Sequence, residues 1–98
     1  MRIPKVLHLP YNYSITVKQI SKEYMEDTLG LEDCEGAWLV DDRTIFVRKD
    51  LSFINQMDTF LHELDHGIND YRSWVLQKAA VWAGAQKRKA KAQKKSSR

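Results

Sequence analysis

Between Phe53 and Ile68 the apolar side chains recur at helical intervals, and this run constrains the fold more than any other feature of the chain. At about 100° per residue, Phe53, Ile54, Met57, Phe60, Leu61, Leu64 and Ile68 share an arc about 120° wide. A helix with one apolar arc must lay it against another element. The sequence offers a sheet for that purpose. Tyr13, Ile15 and Val17 alternate with Ser14, Thr16 and Lys18, the period of a half-buried strand. Lys5 to Leu9 precedes them, with Pro10-Tyr11-Asn12 as the turn, so the first twenty residues read as a strand pair. Ala37 to Val40 and Thr44 to Val47 read as two more strands joined by Asp41-Asp42-Arg43. In that hairpin Trp38 and Val40 are expected to share a face with Ile45 and Val47.

Two helices flank these strands in the expected order. Ser21 is placed to cap a short helix through Leu29, with Gly30 ending it. Asp50 or Ser52 is placed to cap the long one. Gly67, with Ile68-Asn69-Asp70 after it, is where that helix is expected to bend or end. A last helix from about Ser73 to Gln86 would offer Trp74, Leu76, Ala79, Val81 and Trp82 for packing. The expectation is an α+β domain over residues 1–86, in which a small antiparallel sheet packs on the central helix and a C-terminal helix follows. At 98 residues there is room for one core and no more.

The central helix also carries His62-Glu63-Leu64-Asp65-His66. Its histidines fall opposite the apolar arc, one turn and about 6 Å apart along the axis. Two neutral imidazoles at that spacing can converge on one zinc ion at about 2.0–2.1 Å. Glu63 is turned by about 100° from His62, too far round to bind the same ion but able to take a proton beside it. The competing reading is an ordinary solvated helix face.

A catalytic zinc needs a third protein ligand. Asp70 is the last acid in the chain, so nothing beyond it supplies a carboxylate. On a straight helix it would lie about 12 Å along the axis from His62. A bend at Gly67 would bring it closer, and on that ground Asp70 is the first candidate. Asp58, one turn before His62, suits the role of imidazole hydrogen-bond acceptor, or simply of a solvated acid. His8 and Cys34 could approach only through the fold; the plainer readings are a strand residue and a half-buried small side chain.

In these residues the chain resembles the small gluzincin-like zincin metallopeptidases encoded by phages and prophages. The resemblance rests on the order of parts: an N-terminal strand pair opening Met1-Arg2-Ile3-Pro4, a strand Thr44-Ile45-Phe46-Val47-Arg48, then a helix reading Thr59-Phe60-Leu61-His62-Glu63-Leu64-Asp65-His66-Gly67-Ile68. It is specific over about residues 37–70. It implies an antiparallel sheet on the zinc helix, an edge strand that binds peptide in extended form, zinc on His62 and His66, and Glu63 as general base in peptide-bond hydrolysis. The family takes its third ligand from a glutamate on the next helix, and no glutamate follows Glu63. Asp70 would have to substitute, or the scaffold would serve as an inactive binding protein for a protein or nucleic-acid partner. The motif is also similar to the zinc helix of peptide deformylases, whose third ligand is an upstream cysteine, here Cys34. Their glycine-rich, glutamine-bearing motif is absent.

Charge divides the chain unevenly. Residues 1–86 hold nine Lys and Arg against thirteen Asp and Glu, a balance of −4, and residues 87–98 hold seven basic residues and no acid. The basic tail reads as a disordered end, able at most to touch nucleic acid without sequence preference; it has no aromatic on which a base could stack. One cysteine allows no internal disulfide, which fits a reducing compartment. Pro4, Lys5, His8 and Pro10 interrupt any apolar leader, and no run is long enough to span a bilayer. These features point to a cytoplasmic protein, in the bacterial host if the chain is phage-encoded, acting on peptide or protein without a membrane.

Overall fold

The computed structural model describes the backbone of residues 1–96 and the side chains of residues 1–86. The elements follow in the order β1 (Val6–Leu9), β2 (Tyr13–Ile20), α1 (Lys22–Asp27), β3 (Gly36–Leu39), β4 (Thr44–Arg48) and α2 (Phe53–Ser96). The fold is α+β, as expected.

β1 and β2 form the expected antiparallel pair, with Val6 opposite Thr16 and Leu9 opposite Tyr13. Tyr11 and Asn12 turn the chain with φ of 67° and 60°, the left-handed pair that matches the twist of a tight hairpin. Alternation then does what its period requires: Tyr13, Ile15 and Val17 are buried, and their neighbours are not. Ser21 caps α1 by accepting the Tyr24 N–H at 3.1 Å, and Gly30 takes a φ of 68° just beyond it. β3 and β4 pair antiparallel, with Trp38 opposite Ile45 and Gly36 opposite Val47. Val40 lies past the end of β3 and is exposed, so Trp38 alone joins the core from the face expected for both.

The sheet is not purely antiparallel. Its order is β1-β2-β4-β3, and the central neighbours β2 and β4 run parallel, Val17 beside Ile45. The chain leaves β2, crosses through α1 and β3, and returns along β2 in the same direction. That long connection is what a parallel pair needs. It also makes β3 an edge strand.

α2 lies over β3 and β4. Ser52, not Asp50, caps it, its Oγ accepting the Asn55 N–H at 3.3 Å; Asp50 is held instead by Arg48, with contacts of 2.6 and 3.0 Å. The core beneath is Tyr13, Ile15, Val17, Ile45, Val47 and Phe60, with Leu64, Trp38, Tyr71 and Trp74 packed around it. The buried face of α2 is turned from the expected arc. Phe60 and Thr59 are buried, Glu63, Leu64, Asp70 and Trp74 are half-buried, and Gly67 is buried, whereas Ile54, Leu61 and Ile68 face solvent. At about 100° per residue the rotation is about 90°. Small residues explain it. A Cβ on Gly67 would stand 3.3 Å from Ile15 Cδ1 and 3.4 Å from the Trp38 ring, so the bare glycine lets the helix settle onto the sheet along this row.

Gly67 therefore serves close packing, and the expected bend does not occur. α2 is one helix from Phe53 to Ser96, with no break between it and the helix expected from Ser73. Helical backbone also continues into the basic segment, where a frayed end was expected; the side chains of residues 87–98, and with them any nucleic-acid contact, lie outside the described residues. Among the described residues no helix is long and apolar enough to cross a membrane.

Candidate metal centre

His62 and His66 sit within the first half of an unbroken helix held from below, which fixes their spacing. Both are exposed, and their rings meet edge to face with centroids 5.0 Å apart. Because the helix is rotated, they lie on its flank and not opposite its buried face. Glu63, half-buried, points the other way round the helix, toward β3. The nearest approach is at Gly36, where an added Cβ would meet Thr59 Cγ2, the Phe46 carbonyl oxygen at 2.8 Å and Glu63 Cγ at 3.4 Å. β3 can run this close to α2 only because position 36 has no side chain.

Between strand and helix lies an open cleft of about 300 Å³ lined by Cys34, Glu35, Gly36, Asp58, Thr59, His62 and Glu63. Three of these are acids and none is Lys or Arg, so the cleft favours cations. Thr59 Oγ1 donates a long hydrogen bond of 3.4 Å to Glu35 Oε2 across the cleft. Asp58 shares the cleft with His62, but among the described residues no hydrogen bond joins it to either imidazole.

The remaining candidates are placed elsewhere. Asp70 stays about 12 Å along the axis from His62, because the helix is straight. Its Oδ2 accepts the Trp38 indole N–H at 2.5 Å, so the carboxylate faces the sheet and ties α2 to β3. His8 is on β1, at the opposite edge of the sheet, where its Nδ1 lies 3.0 Å from Ser14 Oγ. Cys34 does reach the cleft, as the fold had to arrange if it was to matter. Glu35 reaches it too, and nothing in the sequence singled it out: its position follows from the pairing of Gly36 with Val47, a non-local register.

The fit to zinc is therefore partial. Two imidazoles have the right spacing and a carboxylate stands next to them, but among the described residues no three His, Cys, Asp or Glu side chains are grouped so as to hold a metal ion. What the site assembles is a histidine pair, a glutamate and an acidic cleft along an edge strand. Comparison with protein-family models, curated proteins and solved structures finds nothing that matches this chain.

Proposed function

We propose that the chain is a zinc-dependent peptidase whose centre is His62, Glu63 and His66. The observation that carries this is the juxtaposition of the motif with β3: Glu63 projects toward an edge strand, across a cleft that His62 also lines. An edge strand has one row of backbone donors and acceptors free, and an extended peptide can pair with it. A peptide laid along β3 would pass beside Glu63.

His62 and His66 would hold the ion through one ring nitrogen each. The donors that line the cleft beside His62 are Cys34, Glu35 and Asp58, and the third ligand is sought among these and not at Asp70. Zinc held there would supply Lewis acidity. Glu63 would take a proton from the attacking water and return it to the leaving amine, a role that suits a carboxylate half-shielded by the β3 wall.

The experiment is metal content of the purified chain by mass spectrometry, followed by incubation with unfolded protein substrates with and without a chelator. About one zinc per chain is expected, absent from His66→Ala, together with cleavage that the chelator stops. Glu63→Gln should keep the zinc and lose cleavage. Full turnover in that variant would refute the mechanism.

The engagement of Asp70 by Trp38 favours a second reading, a zincin-like scaffold that binds a partner without catalysis. Its mark is the absence of chelator-sensitive cleavage across a range of substrates, with the fold intact.

A further inference from the structure

On the side of α2 away from the sheet, large apolar residues stand in solvent. Ile54 is 77% exposed, Leu61 54%, Ile68 39% and Trp82 66%, and Val75 is half-buried. These five are spaced by seven residues throughout. A second row, Asp58, Asp65, Arg72 and Ala79, interleaves with them at alternating steps of four and three, the spacing of a seam where one helix packs along another. The stripe runs for about 42 Å. Among the described residues the sheet packs on another face of α2 and leaves Ile54, Leu61 and Ile68 uncovered, while Val75 and Trp82 border an open apolar cleft with Tyr11.

We infer that a second copy of this chain covers the stripe, its α2 packed antiparallel to the first. Charge decides both the occupant and the direction. Every acid of α2 (Asp58, Glu63, Asp65, Asp70) precedes every base in it, beginning with Arg72 and Lys78. Two parallel copies would set Asp58 against Asp58, Asp65 against Asp65 and Arg72 against Arg72 along the second row. Two antiparallel copies, related by a two-fold axis near Ile68 and Asn69, set Asp65 opposite Arg72 of the second copy, and do so twice. The same axis sets Leu61 opposite Leu76 of the second copy, itself 58% exposed. The pairing is isologous, so it closes at two chains. Asp58 stands both in the second row and in the cleft lining, so the seam runs along one rim of each cleft while the β3 edges lie on the other; comparison with and without chelator separates the dimer from the proposed zinc chemistry.

The test is sedimentation equilibrium of the full chain from about 1 to 100 μM, in chelator and again with zinc. A dimer is expected in both. Ile68→Asp should raise its dissociation constant by about a hundredfold or more, with circular dichroism unchanged because Ile68 is exposed and outside the core cluster. Asp65→Arg and Arg72→Asp should each weaken it by about tenfold or more, and the double exchange should recover most of the loss. A monomer at 100 μM overturns the inference and would assign the stripe to a different partner. A dimer that dissolves in chelator, or one indifferent to Ile68→Asp, overturns it as well. Failure of the double exchange to rescue overturns the antiparallel arrangement.

Discussion

Asp70 is the residue on which the sequence and the folded chain assign different work, and Asp70→Ala separates them. As a zinc ligand, its loss would empty the site. As the acceptor of the Trp38 indole N–H, its loss would loosen α2 from β3 and leave the histidines alone. A hydrogen bond to a charged acceptor contributes about 1.5–3 kcal/mol. Trp38 and Asp70 are both half-buried, so water can partly replace the lost partner and the lower end, about 1.5 kcal/mol, applies. For a chain of this length that is a fall in melting temperature of roughly 6–12 °C.

The assay is calorimetry in chelator, so that any bound metal contributes nothing to stability. Asp70→Asn keeps an acceptor oxygen and should lose less than half as much. Trp38→Phe should cost a similar amount on its own, and combined with Asp70→Ala it should add little more, a coupling of about 1 kcal/mol or greater. Zinc content measured in parallel should be unchanged in Asp70→Ala and absent in His66→Ala. A variant that melts like the parent but has lost its zinc would refute the reasoning. It would mean that α2 bends in solution and delivers Asp70 to the histidines.

Other consequences follow from particular contacts. Gly36→Ala places a methyl group 2.8 Å from a backbone oxygen that cannot rotate away, so it should destabilise by about 1–3 kcal/mol in urea unfolding. Ile45→Ala, in the fully buried centre of the sheet, should cost about 2–5 kcal/mol by the same measurement. Burial raises the Tyr13 phenol pKa above its ordinary value, outweighing the lowering by Arg43, whose guanidinium stands 4.0 Å from the ring centroid. Since the folded pKa is the higher one, this stability is intact below about pH 10 and is lost as pH climbs through the folded value. Absorbance titration should show one of the four tyrosines ionising late, and Tyr13→Phe should remove that late component.

Much of the fold was legible wherever the signal is local. The alternation at Tyr13, Ile15 and Val17, the turn at Pro10 to Asn12, the Ser21 cap and the β3–β4 hairpin each depend on neighbours a few residues apart, and each forms, with Val40 alone falling outside its expected strand. The parallel contact of β2 with β4 joins strands separated by α1 and β3, and no periodicity encodes such a pairing. The rotation of α2 escaped for a different reason. Hydrophobic periodicity assumes that the largest apolar side chains point inward, whereas here Gly67, Thr59 and Gly36 select the face by allowing close approach. The row left outside, Ile54, Leu61 and Ile68, then reads as core in the sequence and stands in solvent in the folded chain. For the candidate site, spacing alone singles out His62, Glu63 and His66. It does not reveal their surroundings, because Cys34 and Glu35 arrive through the β3–β4 register.

The straightness of α2 has a chemical corollary. Residues that follow a histidine pair on an unbroken helix move away from it by about 1.5 Å each, so no downstream side chain can return to complete the coordination. Among the described residues no further helix follows α2 to supply a donor. A third donor would come from the cleft itself, either from Asp58 one turn upstream on α2 or from the opposite wall of Cys34 and Glu35, whose distance the absent side chain of Gly36 sets. Metal affinity should therefore respond to the β3 wall before it responds to anything beyond His66. Glu35→Gln, Cys34→Ser and Gly36→Ala should each reduce zinc retention against a competing chelator, while Asp70→Ala leaves it unchanged despite its cost in stability. The opposite order would place the third donor downstream, and with it a helix that does not stay straight.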